Sequence, residues 1–130
     1  MKTAFIKMIW AVALMVSAQT AMAACSRADL TGTWRAYFTL GSVARCSIVM
    51  PATGTAIASN SSCYIPGSPT KAITGTLAIT TDCHVTGKVT VSGTVRQADA
   101  WLNKSKDTMA GIGWDPAYVW DGDTFNAIKQ

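Results

Sequence analysis

CHVTGKVTVSGTV, residues 83–95, alternates without a break. Cys83, Val85, Gly87, Val89, Val91, Gly93 and Val95 fall on one parity, and His84, Thr86, Lys88, Thr90, Ser92 and Thr94 on the other. A repeat of two puts small and apolar side chains on one face of a pleated strand and polar ones on the opposite face. A helix, turning every 3.6 residues or about that, would scatter these valines round its axis. Ser92-Gly93 can act as a two-residue hairpin turn, which makes two strands, 83–91 and 94–102. The alternative is one long strand that bends at glycine.

The same alternation continues outward from this ribbon. Upstream, Ile73, Gly75, Leu77 and Ile79 define a strand over 72–80, with Thr81-Asp82 as the turn into the ribbon. Trp34, Ala36, Phe38 and Leu40 share one face of a first strand, 33–40, and Cys46, Ile48 and Met50 one face of a second, 45–50. A weak strand of small residues is expected at 55–59, and 60–71, with Pro66, Gly67 and Pro69, should be the longest loop. Downstream come a polar loop at 103–107, a strand at 108–114 that breaks at Asp115-Pro116, a short strand at 118–120, a turn at Asp121-Gly122 and a last strand at 124–129. About eight short strands, with no helix of useful length, predict an all-β fold. The expected form is an antiparallel up-and-down barrel, with a sandwich as the alternative. Glycines inside the strands suit the bends that close a sheet on itself.

The start of the chain belongs to export rather than to the fold. Lys2 and Lys7 precede an apolar run from Met8 to Val16, and Ala21-Met22-Ala23 is a small-x-small cleavage box. Residues 1–23 read as a signal peptide and 24–130 as one domain. The apolar run is shorter than the ~20 residues of a membrane-spanning helix. With Lys2 and Lys7 removed, the formal net charge of +4 falls to +2. The basic residues are spread singly, so a nucleic-acid partner is not expected. All seven acids are Asp, which favours turns between strands over surface helices.

Cys25, Cys46, Cys63 and Cys83 all follow the signal, and their spacing matches no zinc site. An even set in a small exported domain predicts two disulfides, each worth a few kcal/mol. In a meander, Cys46 and Cys63 fall at one rim of the barrel and Cys25 and Cys83 at the other. The expected pairs are therefore Cys46–Cys63 and Cys25–Cys83. A rival reading takes Met22-Ala23-Ala24-Cys25 as a lipoprotein box with a lipid anchor on Cys25, which would leave an odd number of thiols. The location is then periplasmic or secreted, or anchored to the envelope.

Gly32-Thr33-Trp34, a Gly-x-Trp entering the first strand, resembles the opening of calycin-type barrels such as lipocalins and avidins. Chain length and the positions of Cys46 and Cys63 are similar to those of the small periplasmic metalloprotease inhibitors of Gram-negative bacteria. The resemblance implies that Gly32 and Trp34 close the base of a barrel. It also implies a protease-inhibitor-like protein as one function, exercised through a free N-terminal segment. Here only Ala24 precedes Cys25 in the expected mature chain.

For binding, the sequence singles out Trp114, Tyr118 and Trp120 with Asp121 and Asp123. Aromatic rings on a turn-rich segment supply contact area at low entropic cost, and they can stack on a glycan or a partner's side chain. Two carboxylates without a fuller ligand set do not make a Ca²⁺ site. The interior parity is apolar, so a ligand held inside the barrel should be a small apolar molecule. His84, the single histidine, stands beside Cys83, which oxidation would remove as a nucleophile. The expectation is a non-catalytic binding or interaction module without cofactor or metal, whose partner is a small apolar ligand, a glycan or a protein. A membrane barrel would need the apolar parity to face lipid, on strands longer than most of these.

Overall fold

The computed structural model describes residues 23–130 apart from residue 41, so the signal segment lies, except for Ala23, outside the described residues. A four-residue helix α1 (Arg27–Leu30) leads into β1 (Gly32–Leu40), followed by β2 (Ser42–Met50), β3 (Ser62–Tyr64), β4 (Lys71–Ile79), β5 (His84–Val91), β6 (Thr94–Leu102), β7 (Thr108–Asp115) and β8 (Tyr118–Lys129). Each strand pairs antiparallel with the next, and β8 returns to β1 through Trp34 opposite Lys129 and Phe38 opposite Phe125. The sheet is a closed eight-stranded barrel, as the alternation predicts.

The ribbon is two strands. Val91 stands opposite Thr94 across a turn in which Ser92 and Gly93 both have positive φ. Two positive-φ residues match the right-handed twist of the flanking strands. Directly opposed residues share a face, so the turn resets the phase. Ala98, Ala100 and Leu102 are buried inside the barrel, and Val95 is exposed rather than continuing the inward row. The interior is otherwise the apolar parity read from the sequence: Trp34, Ala36, Ile48, Met50, Ile73, Leu77, Val85, Val89 and Phe125 among others. Arg35, Arg45, Lys88 and Asp99 sit on the opposite parity and are exposed or half-buried. That arrangement is the reverse of a lipid-facing barrel, and among the described residues no helix is long and apolar enough to cross a membrane.

Two stretches depart from expectation. The third strand is Ser62–Tyr64, inside the predicted loop, whereas the predicted strand at 55–59 forms only one bridge, Ala56 with Thr76. Cys63 lies opposite Cys46 in the β2–β3 ladder and draws the pairing there. Residues 55–61 then fill the gap beside this short strand: the Ile57 and Ala58 N–H groups donate to the carbonyls of Gly75 and Val49, and the Ser61 hydroxyl accepts from the Val49 N–H at 2.8 Å. Ile57 is buried in the core, and hydrogen bonds to both neighbours hold the rest of this segment of mostly small side chains. The second departure concerns Asp121-Gly122, which is not a turn but lies inside β8. The chain reverses five residues earlier, at Pro116-Ala117, within the break expected at Asp115-Pro116, and Asp115 Oδ1 accepts the Ala117 N–H there at 2.8 Å. An aspartate that bonds the backbone two residues on makes a turn by itself.

Both predicted disulfides are present. Cys25–Cys83 ties the start of the domain to the base of the barrel, where the Cys25 N–H also donates to the Thr81 carbonyl. Cys46–Cys63 lies within the wall between β2 and β3, buried in the core rather than at a rim. Cys25 has no thiol left for a lipid while it is bonded to Cys83.

Candidate functional site at the open end of the barrel

The two ends of the barrel differ. At the base, α1 folds under the interior and Trp34 Nε1 donates to the Leu30 carbonyl at 2.8 Å. Lys129 Nζ lies 5.3 Å from the centre of the Trp34 ring and donates to the Asp29 carbonyl at 2.8 Å. Asp29 in turn accepts from the Ser26 N–H and from Lys106 Nζ, which also reaches the Ala24 carbonyl. Gly32 and Trp34 lie at this end, next to Lys129. Lys129, the partner of Trp34, carries no signal in sequence because it becomes its neighbour only when β8 meets β1.

The opposite end is open. Inside the barrel is a narrow apolar cavity of about 40 Å³, bounded by Trp34, Phe38, Leu77, Val89, Arg96 and Phe125 among others. Above it lies a wider one of about 220 Å³, lined by Ile65, Ile73, Val91 and Thr94. Phe38, Val89 and Arg96 border both and form the constriction between them. Arg96 was missed in sequence because the phase of β6 depends on the turn at Ser92-Gly93, which swings residue 96 inward.

The five predicted binding residues divide between this mouth and the outer wall. Trp114 pairs with Gly122 and faces outward, where it lines a shallow outer groove of about 720 Å³ with Ile112, Val119 and Thr39. Between the pairs Trp114–Gly122 and Asp115–Tyr118, β8 carries Val119, Trp120 and Asp121 without partners on β7. This bulge pushes Trp120 out to 80% exposure, with Tyr118 edge-on to it at 5.7 Å. Asp121 turns toward the mouth: Arg96 Nη1 donates to its carbonyl at 3.2 Å and to its Oδ2 at 3.3 Å. Asp123 has the inward phase and is half-buried beside them.

Burial holds the Asp123 carboxyl above its ordinary range; Arg96 pulls it down and Asp121 pushes it further up. The native state therefore binds a proton there at pH values where the unfolded chain has released it. Stability from this group is full below the unfolded value of about 3.9 and is lost as pH rises through the folded value. Asp123→Asn should melt at a higher temperature than the parent protein at pH 7 and at the same temperature at pH 3. Melts at both pH values check this, and a lower melting temperature at pH 7 would show that attraction to Arg96 outweighs burial.

His84 is not a free surface histidine. Its Nε2 lies 2.8 Å from Asp99 Oδ1, and its ring stacks on Trp101 at 4.5 Å, directly across the β5–β6 ladder. Cys83 beside it is oxidised. Among the described residues, no group of three or more His, Cys, Asp or Glu side chains comes together.

No family model matches the chain, and no curated protein matches it either. Among solved structures it is similar to a redesigned β-barrel, mFAP1, bound to DFHBI. The two are 15% identical with a TM-score of 0.61, over 81% of this chain and 100% of that one. At that identity the likeness is one of fold, and it agrees with the closed antiparallel barrel read from residues 83–95.

Proposed function

We propose that the protein is an exported, non-catalytic binding module that takes a compact apolar ligand, or the apolar end of a larger one, through the open mouth. The observation that carries this reading is the pair of adjoining apolar cavities that share Phe38, Val89 and Arg96, at the end opposite the closed base. The interior cavity alone is far below the ~300–1,000 Å³ of a typical ligand pocket. The ligand body therefore belongs in the wider mouth, with only a narrow end reaching past the constriction. The redesigned barrel of similar fold is itself bound to DFHBI, which supports a ligand-taking reading of the architecture. Two disulfides and the signal-like start of the chain support export to an oxidising compartment, periplasmic or external. Inhibition of a protease through a free N-terminal segment is the weaker reading. Cys25 is tied to Cys83, and the Ala24 carbonyl is held by Lys106.

A fluorescence titration with the neutral dye N-phenyl-1-naphthylamine tests the proposal. Val91→Trp fills the mouth and should weaken binding at least about tenfold, the loss expected when roughly 1.4 kcal/mol of contact is removed. Trp114→Ala, on the outer wall, should leave binding unchanged. The opposite pattern would move the site to the β7–β8 hairpin, and no binding to the parent protein would remove the mouth from the account.

A further inference from the structure

All seven acidic residues lie at position 29 or from 82 onward, so the chain that builds β1 to β4 contains none. That wall nevertheless carries Arg35 and Arg45, and among the described residues neither forms an ion pair with a carboxylate. The two are brought together by register. Arg35 stands opposite Ser47, Arg45 opposite both Tyr37 and Tyr64, and Ser47 opposite Ser62. On the outer face Arg35, Arg45, Ser47, Ser62 and Tyr64 line a groove of about 260 Å³, with Thr70 from the β3–β4 connection at its edge. Arg45 lies over the Tyr64 ring at 5.5 Å, which orients its guanidinium. Arg35 Nε is shielded from solvent and has no hydrogen-bond partner.

A buried donor without an acceptor is costly, and a guanidinium offers N–H groups in a fork that matches tetrahedral oxyanions. Here two arginines and three aliphatic hydroxyls, from Ser47, Ser62 and Thr70, line one groove, and no carboxylate is among its lining residues. We propose that this groove is a binding site for a phosphate- or sulfate-type oxyanion. It is carried on the wall of β1 to β3 and independent of the barrel mouth. The uncompensated arginines provide the charge, and the hydroxyls together with the terminal guanidinium N–H groups the directed hydrogen bonds. The anion can come from a soluble phosphorylated molecule or from a lipid headgroup.

Sodium phosphate, titrated into ¹⁵N-labelled protein at constant ionic strength, should shift the Arg35 Nε–Hε and Ser62 amide signals saturably, with a Kd of about 1 mM or tighter. Arg45→Gln should weaken that binding at least about tenfold. Lys88→Gln removes the same charge from the opposite wall and should change affinity less than about twofold. Arg45→Lys, which keeps the charge but loses the fork, should also bind more weakly, and its amide spectrum reports whether the fold is kept. In the second arm, vesicles of phosphatidylcholine with phosphatidylglycerol either displace phosphate from Arg35, which assigns a headgroup, or do not, which assigns a soluble ligand. The proposal is overturned if phosphate produces no saturable shift by about 10 mM, or if Lys88→Gln weakens binding as much as Arg45→Gln does.

Discussion

Gly75→Ala is expected to destabilise the barrel by at least about 3 kcal/mol. A Cβ at residue 75 would stand 2.0 Å from the Lys88 carbonyl oxygen and 2.9 Å from the Val89 Cα. Both are backbone atoms of β5, so no rotamer change relieves the contact and the two strands must part. Gly75 also has φ +132, a conformation that L side chains rarely adopt, and the substitution adds that strain. Gly87 shows the same relation from the other side, with its Cβ position 1.9 Å from the Thr76 carbonyl oxygen. The two glycines flank the Thr76–Lys88 pair, and each leaves room for the opposite strand. The comparison is Gly113→Ala, where nothing lies closer than 3.4 Å and φ is not positive; it should stay within about 1 kcal/mol of the parent. Urea midpoints of the two variants measure the difference, and equal midpoints would show that β4 and β5 are not locked at this crossing. Because Ile73, Val89 and Val91 on these strands line the mouth, Gly75→Ala should also abolish binding of the apolar dye.

The crossing illustrates what the sequence makes readable. Period-two alternation over 73–79 and 83–91 identifies both strands and the face each buries, because one face must meet an apolar core. The glycines announce a bend, but only pairing tells which carbonyl each admits. Cys25–Cys83 was readable because an antiparallel meander fixes which strand ends lie together, whereas Cys46–Cys63 pairs across the β2–β3 ladder and not at the expected rim. β3 was not readable, because three residues are too few for a period and Cys63 is placed by its partner rather than by its neighbours. The turn expected at Asp121-Gly122 is absent, because Asp-Gly is a local signal that the β7–β8 ladder overrides; the chain reverses instead at the break read from Asp115-Pro116, six residues earlier. Of the candidate site, the aromatic residues were visible because exposed rings on a turn-rich segment stand out by type. Arg96, Arg35 and Arg45 were not. A single arginine in a strand has no meaning until register shows whether it turns inward, or which second arginine it stands beside.

Trp34→Ala is expected to cost about 3–5 kcal/mol, the range for truncating a buried tryptophan. The ring is 1% exposed and forms the floor of the interior cavity, and its Nε1 satisfies the Leu30 carbonyl beneath it. Removing it both opens a cavity and leaves a buried acceptor without its donor, two costs that add. Trp34→Phe separates them. Most of the apolar area stays and the hydrogen bond goes, so the loss should fall to about 1–2 kcal/mol. Lys129→Met removes the cation above the ring and its hydrogen bond to the Asp29 carbonyl together, and should cost about 1–3 kcal/mol although the methylenes still cover the indole. The cavity left by Trp34→Ala adjoins the existing one and is apolar, so indole added to the variant should raise its melting temperature, as any ligand of the native state does. A Trp34→Ala protein as stable as its parent would mean that α1 and Lys129 seal the base unaided. Rescue by indole, with the mouth-blocking Val91→Trp in the same chain, would locate that ligand at the floor, reached by opening of the base rather than through the mouth.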